Sequence, residues 1–438
     1  MAAAWASLLF VIALWLQGRG LQDLGSGSGK ALSSLGRLTG LVGSDLLLIQ
    51  VLLMARLPWV ERSFGQDALA RKHRVVGFTS FSLVMVHIVF IAVGYAALDG
   101  HRGVLAEIWH LVVDYPGMLL ATAGTTALVM VVVTSVRQAR SRLRYEGWHL
   151  LHLYAYLGVG LALPHQLWTG TDFVGRPLAS AFWWTAWALT ALAVLACRLL
   201  LPAYRSGRHR LVVDRVVVES PGVVSVHLAG RQLSELPVRA GQFFVFRFLD
   251  GAGWTRGHPF SLSAAPDGST LRITVRDLGD GSGRLSALRP GTRVLVEGPY
   301  GRLTADVRTR PRMLVLTAGI GITPGLALLH EEDPRDAVLV HRTSGPRDPL
   351  FATELAALAE RGARILVIPG ARNRDRMSWQ PEHTGDLSDD EALLRLVPDL
   401  GQRDVYVCGP SGWADAAAAA AHAAGLPKTQ VHLERFSW

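Results

Sequence analysis

The feature that most constrains this 438-residue sequence is a set of apolar segments confined to roughly its first two hundred residues. Segments 2–16, 38–57, 75–98, 118–136, 149–168 and 179–201 are mostly near the ~20 residues that a helix needs to cross ~30 Å of hydrocarbon. Backbone polar groups in lipid have to be satisfied within the segment, so six membrane-spanning helices are expected. The first segment begins at Met1, as a signal peptide would, but it has no basic leader and residues 25–29 offer no clear cleavage site. It is expected to be retained.

Basic residues set the expected orientation. Arg56, Arg62, Arg71, Lys72 and Arg74 lie between the second and third segments, Arg137, Arg140, Arg142 and Arg144 between the fourth and fifth, and Arg198, Arg205, Arg208 and Arg210 after the sixth. The opposite connections hold only Arg19, Lys30, Arg37, Arg102 and Arg176. The positive-inside rule then places both termini, and everything after Tyr204, in the cytoplasm of a multi-pass protein of the cell membrane. Because the basic residues gather between apolar segments, the net charge of +9 does not point to nucleic acid. Two cysteines, Cys197 and Cys408, build neither a disulfide framework nor a Cys-ligated cluster, so redox chemistry here needs other ligands or bound cofactors.

Histidine is costly inside a membrane and calls for a partner or a function. The third segment carries His87, with His73 just before it at its cytoplasmic end; the fifth carries His149, His152 and His165. Fourteen residues separate His73 from His87 and thirteen separate His152 from His165, rises of about 21 and 19.5 Å. The two helices run in the same direction, so His73 can face His152 at one depth and His87 can face His165 at another. Two b-type haems, each held by two histidines, fit that pattern, against the alternative of histidines hydrogen-bonded within a bundle. Thirteen residues return ~140° off the starting face, so the fifth helix has to depart from regularity, and Gly158, Gly160 and Pro164 permit it. His149 is read as a polar interfacial residue near a haem propionate. In the outer connections, His101, Arg102 and His110 are either solvated loop residues or neighbours of the terminal acceptor.

After Pro202 the pattern changes. Short β-branched runs at 211–218, 223–228, 243–248, 271–276 and 292–296 read as an antiparallel β-barrel. From Arg312 onward, strands alternate with helices as in a parallel, Rossmann-like α/β sheet. The expected division is 1–203, a six-helix haem bundle; 204–308, the barrel; and 309–438, the α/β domain.

Five motifs occur in order across these two domains: His258-Pro259-Phe260-Ser261-Leu262-Ser263, Gly298-Pro299-Tyr300-Gly301, Thr317-Ala318-Gly319-Ile320-Gly321-Ile322-Thr323-Pro324, Val407-Cys408-Gly409-Pro410 and the terminal Glu434-Arg435-Phe436-Ser437-Trp438. Together they resemble the ferredoxin-NADP reductase module. With the histidine-bearing helices before them, the chain resembles a bacterial member of the NADPH oxidase and ferric reductase superfamily.

The resemblance implies that FAD binds at His258, Pro259, Phe260 and Ser261, with Phe260 along the flavin and Ser261 at the ring edge. His258 stands where soluble relatives usually have Arg, so Arg276 is the candidate cation for the flavin pyrophosphate, and Gly281, Ser282 and Gly283 before a short helix are expected either to hold a phosphate or to form a plain glycine-rich loop. Gly319 and Gly321, opening a helix in the motif with Thr323, are expected to cradle the nicotinamide dinucleotide's pyrophosphate. Arg342, Thr343 and Ser344 end the next strand without an acid, which favours the 2′-phosphate of NADPH, with Arg372 and Arg374 as weaker candidates. Cys408, with Gly409 and Pro410, is expected beside the nicotinamide, and Phe436 or Trp438 over the flavin face. Electrons would run from cytoplasmic NADPH through FAD and both haems to dioxygen, giving superoxide; a ferric chelate or a separate redox partner is the alternative acceptor.

Overall fold

The structure is a computed structural model that describes residues 2–140, 142, 145–251, 253–277, 279, 282–345, 350–371, 373, 377–382 and 387–436. It divides into two units, Met1–Val60 with Gln66–Leu199, and Glu61–Gly65 with Leu200–Trp438.

The first unit is helical: α1 (Ala2–Gln17), α2 (Ser28–Met54), α3 (Gln66–Asp99), α4 (Val104–Asp114), α5 (Met118–Ser135), α6 (Tyr145–Thr169) and α7 (Pro177–Val194). Among the described residues, four helical stretches are long and apolar enough to cross a membrane: Ser28–Met54, Ala68–Asp99, Met118–Ser135 and Pro177–His209. The expected count was six. Ala2–Gln17 is short, and α6 has the length but is diluted by His149, His152, His165 and Gln166. The connection from 99 to 116, expected as a plain loop, contains α4.

Small residues set how closely these helices approach. A methyl group at Gly36 would stand 3.0 Å from the Ile91 side chain, at Gly40 2.5 Å from His87 Nδ1, and at Gly43 3.2 Å from Val84. This stripe brings the backbone of α2 against the histidine face of α3. Likewise a methyl group at Gly158 of α6 would stand 2.8 Å from the Gly124 carbonyl oxygen of α5. Gly158 thus serves close packing, while Pro164 lies inside α6 just before His165.

In the second unit, β1 (Val212–Ser220), β2 (Val223–Ala229), β3 (Phe243–Phe248), β4 (His258–Ser261), β5 (Thr270–Arg276) and β6 (Val294–Tyr300) form two antiparallel sheets, ordered β1-β2-β5 and β4-β3-β6. Where one barrel was expected, two three-stranded sheets share a core that includes Val226, Phe244, Phe246, Leu262 and Ile273, and isolated bridges join Val212 to Arg293 and Leu262 to Ile273. There follow β7 (Arg312–Ala318), α8 (Ile322–Glu331), β8 (Val338–Thr343), α9 (Ala352–Glu360), β9 (Arg364–Pro369), α10 (Asp389–Leu396), β10 (Arg403–Pro410), α11 (Ser411–Ala423) and β11 (Val431–Phe436). The five strands are all parallel in the order β11-β10-β7-β8-β9. The chain winds outward one way from β7 and the other way from β10, so the switch point lies between their carboxyl ends, where α/β sheets bind ligands.

Candidate functional site

At that switch point the loop after β7 lies against the end of β10. Gly319 has φ +56°, a left-handed conformation that glycine adopts without strain. A methyl group at Gly321 would collide with the Cys408 carbonyl and stand 2.8 Å from Gly409 Cα. Gly321 is followed directly by α8, whose first N–H groups have no partner within the helix, so the loop can cradle an anion. The exposed Arg276 brings its guanidinium within 3.9 Å of where a methyl group at Gly319 would stand, which adds a cation to the cradle. Thr323 steadies the turn by donating from its hydroxyl to the Ile320 carbonyl at 3.0 Å. Gly321→Ala is expected to weaken nicotinamide dinucleotide binding at least about tenfold, because the loop has to move off β10. Titration of flavin reduction against dinucleotide concentration checks it.

Beneath the loop, Thr317 on β7 and His341 on β8 are paired in register and both buried, with Thr317 Oγ1 2.9 Å from His341 Nδ1. Burial pulls the His341 pKa down from 6.5 to about 4. The unfolded chain therefore takes up the proton first, and stability is lost as pH falls from about 6.5 toward 4. The loss attributable to His341 is about 3 kcal/mol at the acid end. Denaturant titrations at neutral and acid pH should show it, and His341→Gln should reduce the pH dependence.

Several site expectations are corrected by the geometry. Arg342 is buried and uses all five of its N–H donors on backbone carbonyls: Nε on Trp379, one terminal nitrogen on Thr343 and Ile368, the other on Gly370 and Ala371. It ties the carboxyl ends of β8 and β9 together and has no donor left for a 2′-phosphate. Ser344, by contrast, is exposed beyond the end of β8. Cys408 is 1% exposed and faces the apolar layer of Tyr406, Ile322 and Leu326; burial, with the Glu434 carboxylate adding to it, pushes its thiol well above the usual range. It is a buried thiol of the core layer, held in its protonated form by burial. Gly409 packs against Trp413, and Pro410 is exposed at the start of α11.

The loop before the short helical turn Gly283–Ala287 is organised by its own acid. Asp277 accepts from Gly279 N at 2.9 Å and from the Ser282 hydroxyl at 3.3 Å, and a methyl group at Gly283 would lie 3.0 Å from its carboxylate. A phosphate there would meet that negative charge, so the plain-loop reading fits better. Gly281, Arg372, Arg374 and Trp438 lie outside the described residues, as does the Phe436 side chain.

On β4, His258 and Phe260 share one face as parallel rings, 5.9 Å between centroids and 3° between planes, both half-buried. Pro259 pairs with Val245, and Ser261 is buried with no hydrogen-bond partner for its hydroxyl among the described residues. Two flat parallel rings on one face of β4 can lie against a flavin, and the Ser261 hydroxyl on the other face is free to bond. One element was not foreseen: Arg272 of β5 holds Glu354 of α9 through two bonds of 2.7 and 2.9 Å and also donates to Ser263, fastening the antiparallel sheets to the α/β layer. Partners eighty-two positions apart leave no local sequence signal.

In the helical unit, the His73 and His152 rings stand 6.0 Å apart between centroids, inclined at 61°. Two imidazoles on one iron, each nitrogen about 2 Å from the metal and each ring centre about 1 Å further, give about the same separation. His73 Nδ1 lies 3.2 Å from the Gln50 carbonyl, and His87 Nδ1 lies 2.8 Å from the Gly36 carbonyl. A carbonyl only accepts, so Nδ1 carries the hydrogen and Nε2 offers its lone pair, the arrangement by which an outer hydrogen bond orients a metal-ligating histidine. His152 Nδ1 is 3.2 Å from Ser135 Oγ, and Trp148 covers its ring at 5.0 Å. His165 is half-buried. His149 is exposed.

Residues 39–163 match the family model described as "Ferric reductase like transmembrane component". The chain carries a ferric-reductase-like transmembrane component. That component includes His73, His87 and His152 and ends just before His165. The chain is 30% identical over 208 residues to the NADPH oxidoreductase of Mycobacterium tuberculosis (strain ATCC 25618 / H37Rv), 45% of this chain and 52% of that protein. To NADPH oxidase 3 of Rattus norvegicus it is 25% identical over 256 residues, 48% of this chain and 44% of that one. The chain thus spans about half the length of these curated relatives. Among solved structures it is similar to the flavohem-like FAD/NAD binding domain of nitric oxide dioxygenase from Vibrio cholerae O1 biovar El Tor, with 25% identity, 52% of this chain, 99% of that one and a TM-score of 0.43.

Proposed function

We propose that the protein is a membrane oxidoreductase that draws electrons from cytoplasmic NAD(P)H through FAD and two bis-histidine haems to an acceptor on the other side, dioxygen. The observation that carries this reading is the His73–His152 spacing of 6.0 Å in a chain that also holds a glycine cradle at an α/β switch point. When bound, FAD turns the two-electron hydride of the nicotinamide into single electrons that haem iron can carry.

The chain's own residues do the rest. Gly319, Gly321 and the first turn of α8 bind the dinucleotide pyrophosphate, with Arg276 beside them. His258, Phe260 and Ser261 would orient the flavin, and the terminal aromatics Phe436 and Trp438 are the candidates to cover its open face. His73 and His152 hold the inner haem, His87 and His165 the outer one. Arg342 takes no part in nucleotide choice, so a preference for NADPH rests on Ser344 and on arginines outside the described residues.

The acceptor reading has a specific support. Arg102 and His110 approach the buried Glu107 at 3.5 and 3.7 Å, and His110 also approaches Asp114 at 3.6 Å. An Arg102 guanidinium answered by Glu107 in this way suits small, uncharged dioxygen better than an anionic ferric chelate. Purified protein should consume NAD(P)H in air and reduce cytochrome c in a superoxide-dismutase-sensitive way. Activity only with ferric chelate under argon would replace dioxygen as the acceptor.

A further inference from the structure

Asp45 lies inside α2, the only acid of the four apolar stretches away from a helix end among the described residues. It is 2% exposed; its Oδ1 accepts from the Ser7 hydroxyl of α1 at 2.6 Å, and its Oδ2 has no partner. Among the described residues no cation answers it. α1 and α7 bring no titratable side chain, and Arg37, two turns away on α2, is engaged with Asp23 and Asp172. Among the described residues, the titratable groups that α3 and α6 bring to the interior are His73, His87, His152 and His165, with the half-buried Tyr95 and Tyr156.

Three further buried polar atoms without partners surround the same part of α2: Gln166 Oε1, Trp183 Nε1 and Trp187 Nε1. Gln166 donates to Ser44 at 2.8 Å; Trp183 packs with Leu41 and Leu48, and Trp187 packs against the Leu47 cluster. Residues 41, 45 and 48 share one side of α2, Ser44 lies beside them and Leu47 turns toward the histidine side, so the two unpaired donors and two unpaired acceptors line α2 from Asp45 round toward the histidine face. Buried polar groups of this kind ordinarily hold water, and an ionisable residue in such a setting is by default functional. In depth, Asp45 is five residues from Gly40, which touches His87, and five from Gln50, which holds His73. It thus lies about 7.5 Å from each histidine level, on the opposite side of α2.

We propose that Asp45 is a proton-accepting site, served by water held at Gln166, Trp183 and Trp187, that neutralises an electron entering the helical unit. The inference rests on the haem reading above. Within the helical unit the balance is one electron, supplied in the end by the hydride of the nicotinamide, and one proton from solvent that converts the Asp45 carboxylate to the carboxylic acid; no other bond in that unit changes.

The test is potentiometry of the full-length protein in nanodiscs at a series of pH values, paired with reduced-minus-oxidised infrared spectra. At least one haem wave should fall with pH by up to a tenfold change in its reduction equilibrium per pH unit, ~59 mV, and reduction should bring up a carboxylic acid carbonyl band. Asp45→Asn should flatten the slope and remove the band while both haems stay bound. An unchanged slope and band in that variant would overturn the proposal; should the variant not accumulate, the absence of the carboxylic band from unaltered protein would do so. Protein without low-spin haem would instead overturn the reading on which it rests.

Discussion

His73→Ala and His152→Ala are each expected to lower the haem content from two per chain to one, with FAD still bound and still reduced by NAD(P)H. The ring pair at 6.0 Å can share one iron, and neither ring alone completes a bis-histidine site. The Gln50 carbonyl that fixes the His73 tautomer remains in the His152 variant, so the surviving ring stays oriented but has no opposite ligand. Electrons then stop at the flavin, and reduction of the outer haem by NAD(P)H is lost. His149→Ala, which alters an exposed residue, should keep both haems. Haem loss in the His149 variant with His152→Ala harmless would reverse the assignment. Pyridine haemochrome quantitation and flavin fluorescence on the same samples separate these outcomes.

The second large effect concerns Arg342, where sequence and structure point to different chemistry. Arg342→Ala leaves five backbone carbonyls around the ends of β8 and β9 without their charged donor. At ~1 kcal/mol for an ordinary hydrogen bond and more for a charged one, the loss is about 4 kcal/mol or more, a large share of the ~5–15 kcal/mol that holds a domain. Urea titration followed by the fluorescence of the buried Trp379, itself bonded to Arg342, should register it. The ratio of NADPH to NADH use should be unchanged in whatever protein folds. Normal stability with a selective loss of NADPH affinity would restore the 2′-phosphate role.

The contrast between Arg342 and Gly321 marks what the sequence can say. Gly321 was legible because its task is local: a strand, a tight loop and a helix lie within ten residues, and only glycine allows the loop to approach β10. An arginine at a strand end is equally compatible with a phosphate and with a ring of carbonyls, and four of those five carbonyls come from residues 368, 370, 371 and 379, brought there by β9 and the loop after it. Cys408 went the same way. Strand alternation puts it on the face of Tyr406, opposite Val405 and Val407, but which face is closed depends on where the helices pack. In the helical unit the expected facing of His73 and His152 appears as a ring pair, whereas counting apolar residues overstated α6, because its histidines and Gln166 lower its hydropathy. Asp45 was legible as an acid in the apolar stretch 38–57. Its isolation was not, since Ser7, Gln166 and Trp183 come from three other helices.

The most direct test of the account is an anaerobic absorbance spectrum of the purified full-length protein before and after adding NAD(P)H. The prediction is one FAD and two low-spin b-type haems per chain, all reduced by the nicotinamide and reoxidised when air is admitted. Protein that binds FAD but no haem, or haem that only dithionite reduces, would contradict it.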